Sequence, residues 1–205
     1  MNEHLDSARD DLAFLRALVS EGGQVQGSVG AGLLAGGLCY GMQSLAQWAL
    51  LVSGWRAPPL LQLAVGLVPT VVFLAILTWL IIRDRKLSRN GVGTRAINAA
   101  FGGAGLAAMT TAAIFAYLAI RHQSIMIWLF HPMMVCVVQG TVWYIAYAVR
   151  RHGWIGLVSA GWFATALLLA LLIESHWFVL LLGVSLLVLM ALPGWVLMRN
   201  GLARS

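Results

Sequence analysis

The stretch LLQLAVGLVPTVVFLAILTWLII, residues 60–82, decides the fold. It runs 23 residues without a charge, and the cluster Arg83, Asp84, Arg85 and Lys86 follows directly. At a rise of about 1.5 Å per residue such a helix reaches ~34 Å, enough to cross a hydrocarbon core about 30 Å thick. Inside a bilayer no water meets backbone N–H and C=O groups, so the segment must be helical. Working outward, five more apolar stretches resemble it. The predicted spans are Ser28–Ser53, Leu60–Ile82, Ile97–Ile120, Ser124–Val149, Trp154–Ile173 and His176–Met198. They fill nearly all of the 205-residue chain.

Composition supports this reading. The chain is 60% hydrophobic and 10% charged, far from an ordinary globular domain, and has no length left for a folded soluble one. A net charge of +6 would raise nucleic-acid binding in a soluble protein. Here the basic residues sit at span ends, where membrane orientation accounts for them, so no nucleic-acid partner is implied. Cys39 and Cys136 both fall inside spans, in no metal-binding spacing and with no sign of a disulfide.

The charges also predict orientation. Arg9, Arg16, Arg83, Arg85, Lys86, Arg89, Arg95, Arg150, Arg151, Arg199 and Arg204 fall on one side, eleven in all. Only Arg56 and Arg121 fall on the other. Positive residues stay cytoplasmic, so both termini are expected inside, in a multi-pass protein of a bacterial inner membrane. No cleaved signal peptide is expected, because the first 20 residues carry acids and lack a basic start followed by an apolar run.

Residues 1–23 read as a cytoplasmic amphipathic helix, and 24–205 as the six-helix transmembrane domain. Leu5, Ala8, Leu12, Leu15 and Val19 share one face of the first helix, and Gly22-Gly23 predicts its end. Such a face suits a cytoplasmic protein partner of residues 1–20 or a dimer seam, and equally a helix lying on its own bundle or the membrane surface. The tail through Glu21 carries five acids and two arginines. The connection 83–95 carries five bases and Asp84, which suits anionic lipid headgroups or the acidic tail itself.

The odd spans are rich in small residues. Gly32, Gly36, Gly37 and Gly41 form overlapping GxxxG steps in span one. Ala104, Ala108, Ala112 and Ala116 recur every fourth residue in span three, and Gly156, Ala160 and Ala164 in span five. Small residues one turn apart let backbones approach, and packing drives helix association in lipid. These steps permit a homodimer or packing within one chain. The even spans close alike, with Trp79, Tyr147 and Trp195 each four residues before Arg83, Arg151 and Arg199, as interfacial anchors are. Three copies of one hairpin would produce this pattern, and so would common membrane grammar. Pro69, Pro132 and Pro193 predict local irregularity inside spans.

Ionisable residues at membrane depth are costly and therefore suspect. Only His131 lies well inside a span, roughly two turns from the outer start of span four. Gln43 and Gln47 are one turn apart on span one, and Glu174 and His176 stand at the outer rim. His131, Gln47, Glu174 and His176 all fall in the outer half, as a small polar ligand pocket with Trp48 and Trp177 at its lip would require. Ordinary interhelical hydrogen bonding explains the same residues. Met133, Met134 and Cys136 near His131 raise a metal site, but His131 and Cys136, five apart, share a helix face poorly. Haem would need a second histidine at similar depth, and His176 is the nearest candidate. No HExxH, buried aspartate pair, CxxC or phosphate-binding loop is present, so no catalytic residue and no cofactor is assigned.

The opening DLAFLR at Asp11–Arg16 and the close LPGWVLMR at Leu192–Arg199 resemble those of small six-span bacterial inner-membrane proteins. That resemblance implies the same architecture; the group has no established activity, so it assigns no residue a role. The expectation is an all-α bundle of six transmembrane helices, non-enzymatic, binding or sensing an apolar or amphipathic ligand. A small exporter of apolar compounds is the alternative, although it lacks the buried carboxylate of a proton-coupled pump. A haem or metal protein is the second.

Overall fold

The computed structural model describes the backbone of residues 2–84 and 92–202, and the side chains of residues 27–83 and 99–200. All regular structure among them is helical. The helices are α1 (Asn2–Ser53), α2 (Pro59–Asp84), α3 (Val92–His122), α4 (Ile125–Arg150), α5 (Gly153–Leu171), α6 (Trp177–Leu186) and α7 (Leu192–Leu202). A π-helical turn, Leu187–Ala191, joins α6 to α7, so the two make one continuous sixth span. Six segments are long and apolar enough to cross a membrane. The shortest, Gly153–Leu171, has 19 residues and still reaches ~28 Å. The protein is a multi-pass membrane protein.

Its exterior agrees. Leu171 is 81% exposed and Leu60 77%, and apolar side chains of this kind cover α2 and α3 along most of their length. A surface so continuous in apolar groups has lipid for its solvent.

The turns have local causes. Gly54 takes the left-handed conformation after α1 (φ 64°), and Pro58-Pro59 start the next helix, as proline suits a first turn. Arg151 closes α4 in the same conformation (φ 52°), its N–H bonded to the Tyr147 carbonyl at 2.7 Å. The aromatic–arginine pairs are thus not equivalent. Arg83 lies over the Trp79 ring at 4.9 Å and Arg199 over Trp195 at 5.4 Å, whereas Arg151 serves as a helix cap. α1 runs unbroken through Gly22-Gly23, where the sequence suggested a stop. Glycine costs a helix about 1 kcal/mol per residue, which disfavours but does not forbid it. The apolar face expected at Leu5–Val19 lies outside the described side chains, and residues 85–91 of the basic connection outside the described backbone.

Order in space differs from order in the chain. The sixth span lies chiefly against α1, α1 also carries α2, and α4 sits between α3 and α5. Only a small contact joins α5 to α6. The two spans of the third hairpin meet only over this small contact. The sixth span pairs instead with the first, because their small residues match.

That match is antiparallel. A Cβ added at Gly37 would come 2.5 Å from the Ala191 backbone nitrogen, and one at Gly194 2.5 Å from that of Leu34. Gly30 meets the Gly194–Met198 backbone, and Gly41 meets Leu187. The π turn faces this seam. Its wider winding, with the Leu192 N–H bonded to the Leu187 carbonyl, directly precedes Pro193, whose ring would press on the carbonyl four residues back in a regular α-helix.

The core lies between α4, α5, α1 and the sixth span. Trp143, Trp162, Ile155, Leu169 and Cys136 are fully buried there. Hydroxyls add cross-links. Ser159 donates to the Gly140 carbonyl at 2.8 Å, tying α5 to α4. Thr165 gives its proton to the Gly161 carbonyl at 2.8 Å, so Ser185 is the donor in the 3.1 Å contact between them. Ser159→Ala should cost about 0.6–1.7 kcal/mol, the range for interhelical hydrogen bonds in lipid. Reversible unfolding in mixed micelles measures this, and no loss at all would mean the bond is not made.

Candidate functional site

The arginine-poor end of the bundle, where the turns 54–58, 123–124 and 172–176 lie, holds the polar residues singled out in the sequence. The structure distributes them over three separate places. No hydrogen bond or ring contact among the described residues joins His131 to Gln43, Gln47, Glu174 or His176.

Gln43 sits between α1 and α2. Its Nε2 donates to the Gly66 carbonyl at 3.2 Å, within the helical turn that Pro69 disturbs. Its Oε1 is buried with no partner. Gln47, one turn further, is exposed. At the rim, Trp48 and Trp177 approach to 6.4 Å between ring centroids, and His176 lies 5.0 Å from Trp177, tilted 39° to it. Glu174 and His176 are exposed. Trp48 and Trp177 do meet, at the seam between α1 and α6, and no ring contact or hydrogen bond among the described residues joins either of them to His131.

Of the predicted packing glycines, Gly37 and Gly41 face the sixth span. Gly36 faces Met190 and Phe73. Gly32 meets only Leu80, at an ordinary 3.9 Å. Gly30 and Gly194 make the backbone contact that the GxxxG pattern missed, since they are seven residues from Gly37 and on the other chain segment respectively.

His131 belongs to the interface of α3 and α4. It is half-buried, with Nδ1 3.4 Å from Thr111 Oγ1 on α3. Trp128, one turn earlier on α4, lies 5.1 Å from the imidazole, and Phe115, one turn beyond Thr111, lies 6.4 Å away. The imidazole is thereby held between two aromatic rings and one hydroxyl. Sequence reasoning found His131 but not Thr111, Phe115 or Trp128. A signal existed: the turn at 123–124 makes α3 and α4 antiparallel, so residues about two to three and a half turns before it come within reach of His131 and Trp128.

The soft residues near His131 diverge. Met133 and Cys136 turn into the core, while Met134 is exposed. Cys39 and Cys136 are both free thiols. Among the described residues no three His, Cys, Asp or Glu side chains group as ligands of one metal ion. What the arrangement offers chemically is recognition: one oriented imidazole in an apolar, aromatic setting. Further in, Gln139 Oε1, Trp143 Nε1 and Trp162 Nε1 are buried without partners in the α4–α5 region.

No family model, curated protein or solved structure matches the chain.

Proposed function

We propose that the protein is a non-enzymatic binding or regulatory protein of a bacterial inner membrane that holds an apolar or amphipathic ligand in its arginine-poor half. The observation that carries this is the His131 cluster. An imidazole is kept at membrane depth between Trp128 and Phe115, oriented by Thr111, with no second titratable side chain against it among the described residues. Binding needs only shape and an oriented polar atom, and the cluster supplies both. The split of eleven basic residues against two supports cytoplasmic termini, which place His131 in the outer leaflet. A homodimer, an anionic lipid at 83–95 and a cytoplasmic partner of residues 1–20 belong to the same proposal, with the sequence patterns as their support.

Native mass spectrometry of protein extracted gently from its own membrane tests the reading, with an absorption spectrum of the same sample. The expected result is a co-purifying apolar molecule. A Soret band or a bound metal instead would overturn it in favour of a cofactor protein.

A further inference from the structure

We infer that His131 Nε2 is the hydrogen-bond acceptor of a lipid-facing site for a neutral, long-chain alcohol drawn from the membrane. The inference rests on the proposed function, since it names the class of ligand held at the α3–α4 interface.

Thr111 has one hydroxyl proton, and it is directed at the Ala107 carbonyl at 2.8 Å and shared with that of Ala108 at 3.0 Å. Towards His131 the Thr111 oxygen can therefore only accept, so Nδ1 is the ring nitrogen carrying the proton. No carboxylate among the described residues faces the ring to hold a second proton. Nε2 is left with its lone pair. Among the described residues it has no hydrogen-bond partner, and it is not one of their enclosed unpartnered atoms, such as Gln139 Oε1 or Trp143 Nε1. On a half-buried residue, an atom that is not enclosed has access to what surrounds the bundle, and at membrane depth hydrocarbon supplies no donor.

Depth selects the headgroup. α4 has 26 residues and is ~39 Å long, ~9 Å more than the hydrocarbon core. Shared equally between its ends, the excess puts the hydrocarbon boundary ~4–5 Å from Ile125. His131 is ~9 Å from that end and so ~5 Å inside the boundary. A phosphate at that depth would be an uncompensated charge in apolar surroundings, whereas a hydroxyl is neutral and meets its single requirement by donating to Nε2. The chain has a path as well. Met134, one turn further toward the membrane centre than His131, is 43% exposed, and Phe130 and Val137, one turn to either side of Met134, are 45% and 40% exposed.

The test uses the full-length protein in phosphatidylcholine vesicles with a diazirine-bearing long-chain fatty alcohol as photoprobe. Labelling should map to α3 and α4 near Thr111 and His131. Unlabelled fatty alcohol should compete, and its methyl ether, which cannot donate, should compete about tenfold more weakly, the worth of one lost hydrogen bond in an apolar site. His131→Asn keeps a donor for Thr111 but has no atom at the Nε2 position, and should lose labelling by about the same factor. His131→Gln reaches that position with its amide and should retain most of it. Equal competition by the ether, or full labelling of His131→Asn, overturns the hydroxyl site and leaves apolar binding standing. No saturable labelling of α3 or α4 overturns both. The ether comparison is made on the unaltered protein, so it decides the matter even if a variant does not fold.

Discussion

Gly37→Ala and Gly194→Ala should each destabilise the bundle by about 3 kcal/mol, the upper part of the range for forcing an extra methyl into a packed interior. Each new Cβ would stand 2.5 Å from a backbone nitrogen of the facing helix, that of Ala191 or Leu34. Backbone cannot rotate aside as a side chain can, so the α1–sixth-span seam must open along its length. Gly103→Ala and Gly105→Ala on α3 are the controls. A Cβ there meets nothing within 4 Å. The same chemical change should then be neutral, or stabilise by up to about 1 kcal/mol through helix propensity. Equilibrium unfolding in mixed micelles, followed by the fluorescence of the nine tryptophans, measures all four variants. Equal effects at Gly37 and Gly103 would mean that the two helices do not meet along this seam.

Trp162→Ala should cost about 3–5 kcal/mol. Trp162 is 0% exposed, at the centre of the cluster formed with Trp143, Ile155, Leu169 and Cys136. In a bilayer little of that cost is transfer of apolar surface, because lipid chains are as apolar as the core. It is the cavity and the lost dispersion contacts. Trp162→Phe should be far milder, for it fills most of the space and removes an indole N–H that has no partner. Trp177→Ala, at a position 51% exposed, should change stability little. The same unfolding titration reads these variants, and a Trp162→Ala protein as stable as Trp177→Ala would contradict the packing described.

The six spans were legible because their cause is local. An uncharged run of about 20 residues has one outcome in hydrocarbon, whatever lies beside it. Predicted and observed ends agree within a few residues, as for Leu60–Ile82 against Pro59–Arg83. Partner choice was not legible. The GxxxG steps of span one announced a close approach without naming its direction, and Gly36 and Gly37, adjacent in sequence, have different neighbours. Gly30 and Gly194 escaped notice because their partnership is visible only once spans one and six lie side by side. The matching arginine ends did not tell which spans would pack together, for the same reason. Those ends answer to the membrane interface, which treats every span alike, whereas packing depends on what each face meets.

The candidate site divides in the same way. His131 stood out alone, since an ionisable group at membrane depth is rare in any sequence. Its separation from Gln43, Gln47, Glu174 and His176 needed the tertiary structure, because depth along a span says nothing of azimuth around the bundle. Thr111 and the two flanking rings came only with the α3–α4 contact. By itself, then, the sequence determined the membrane as solvent, the number of apolar spans and the one residue among Asp, Glu, Lys, Arg and His placed deep within them. These follow from transfer between water and hydrocarbon, which each segment undergoes independently. The tertiary structure decided that the sixth span closes on the first and that His131 faces Thr111, because close packing and hydrogen bonds depend on two surfaces meeting, and neither surface specifies the other in advance.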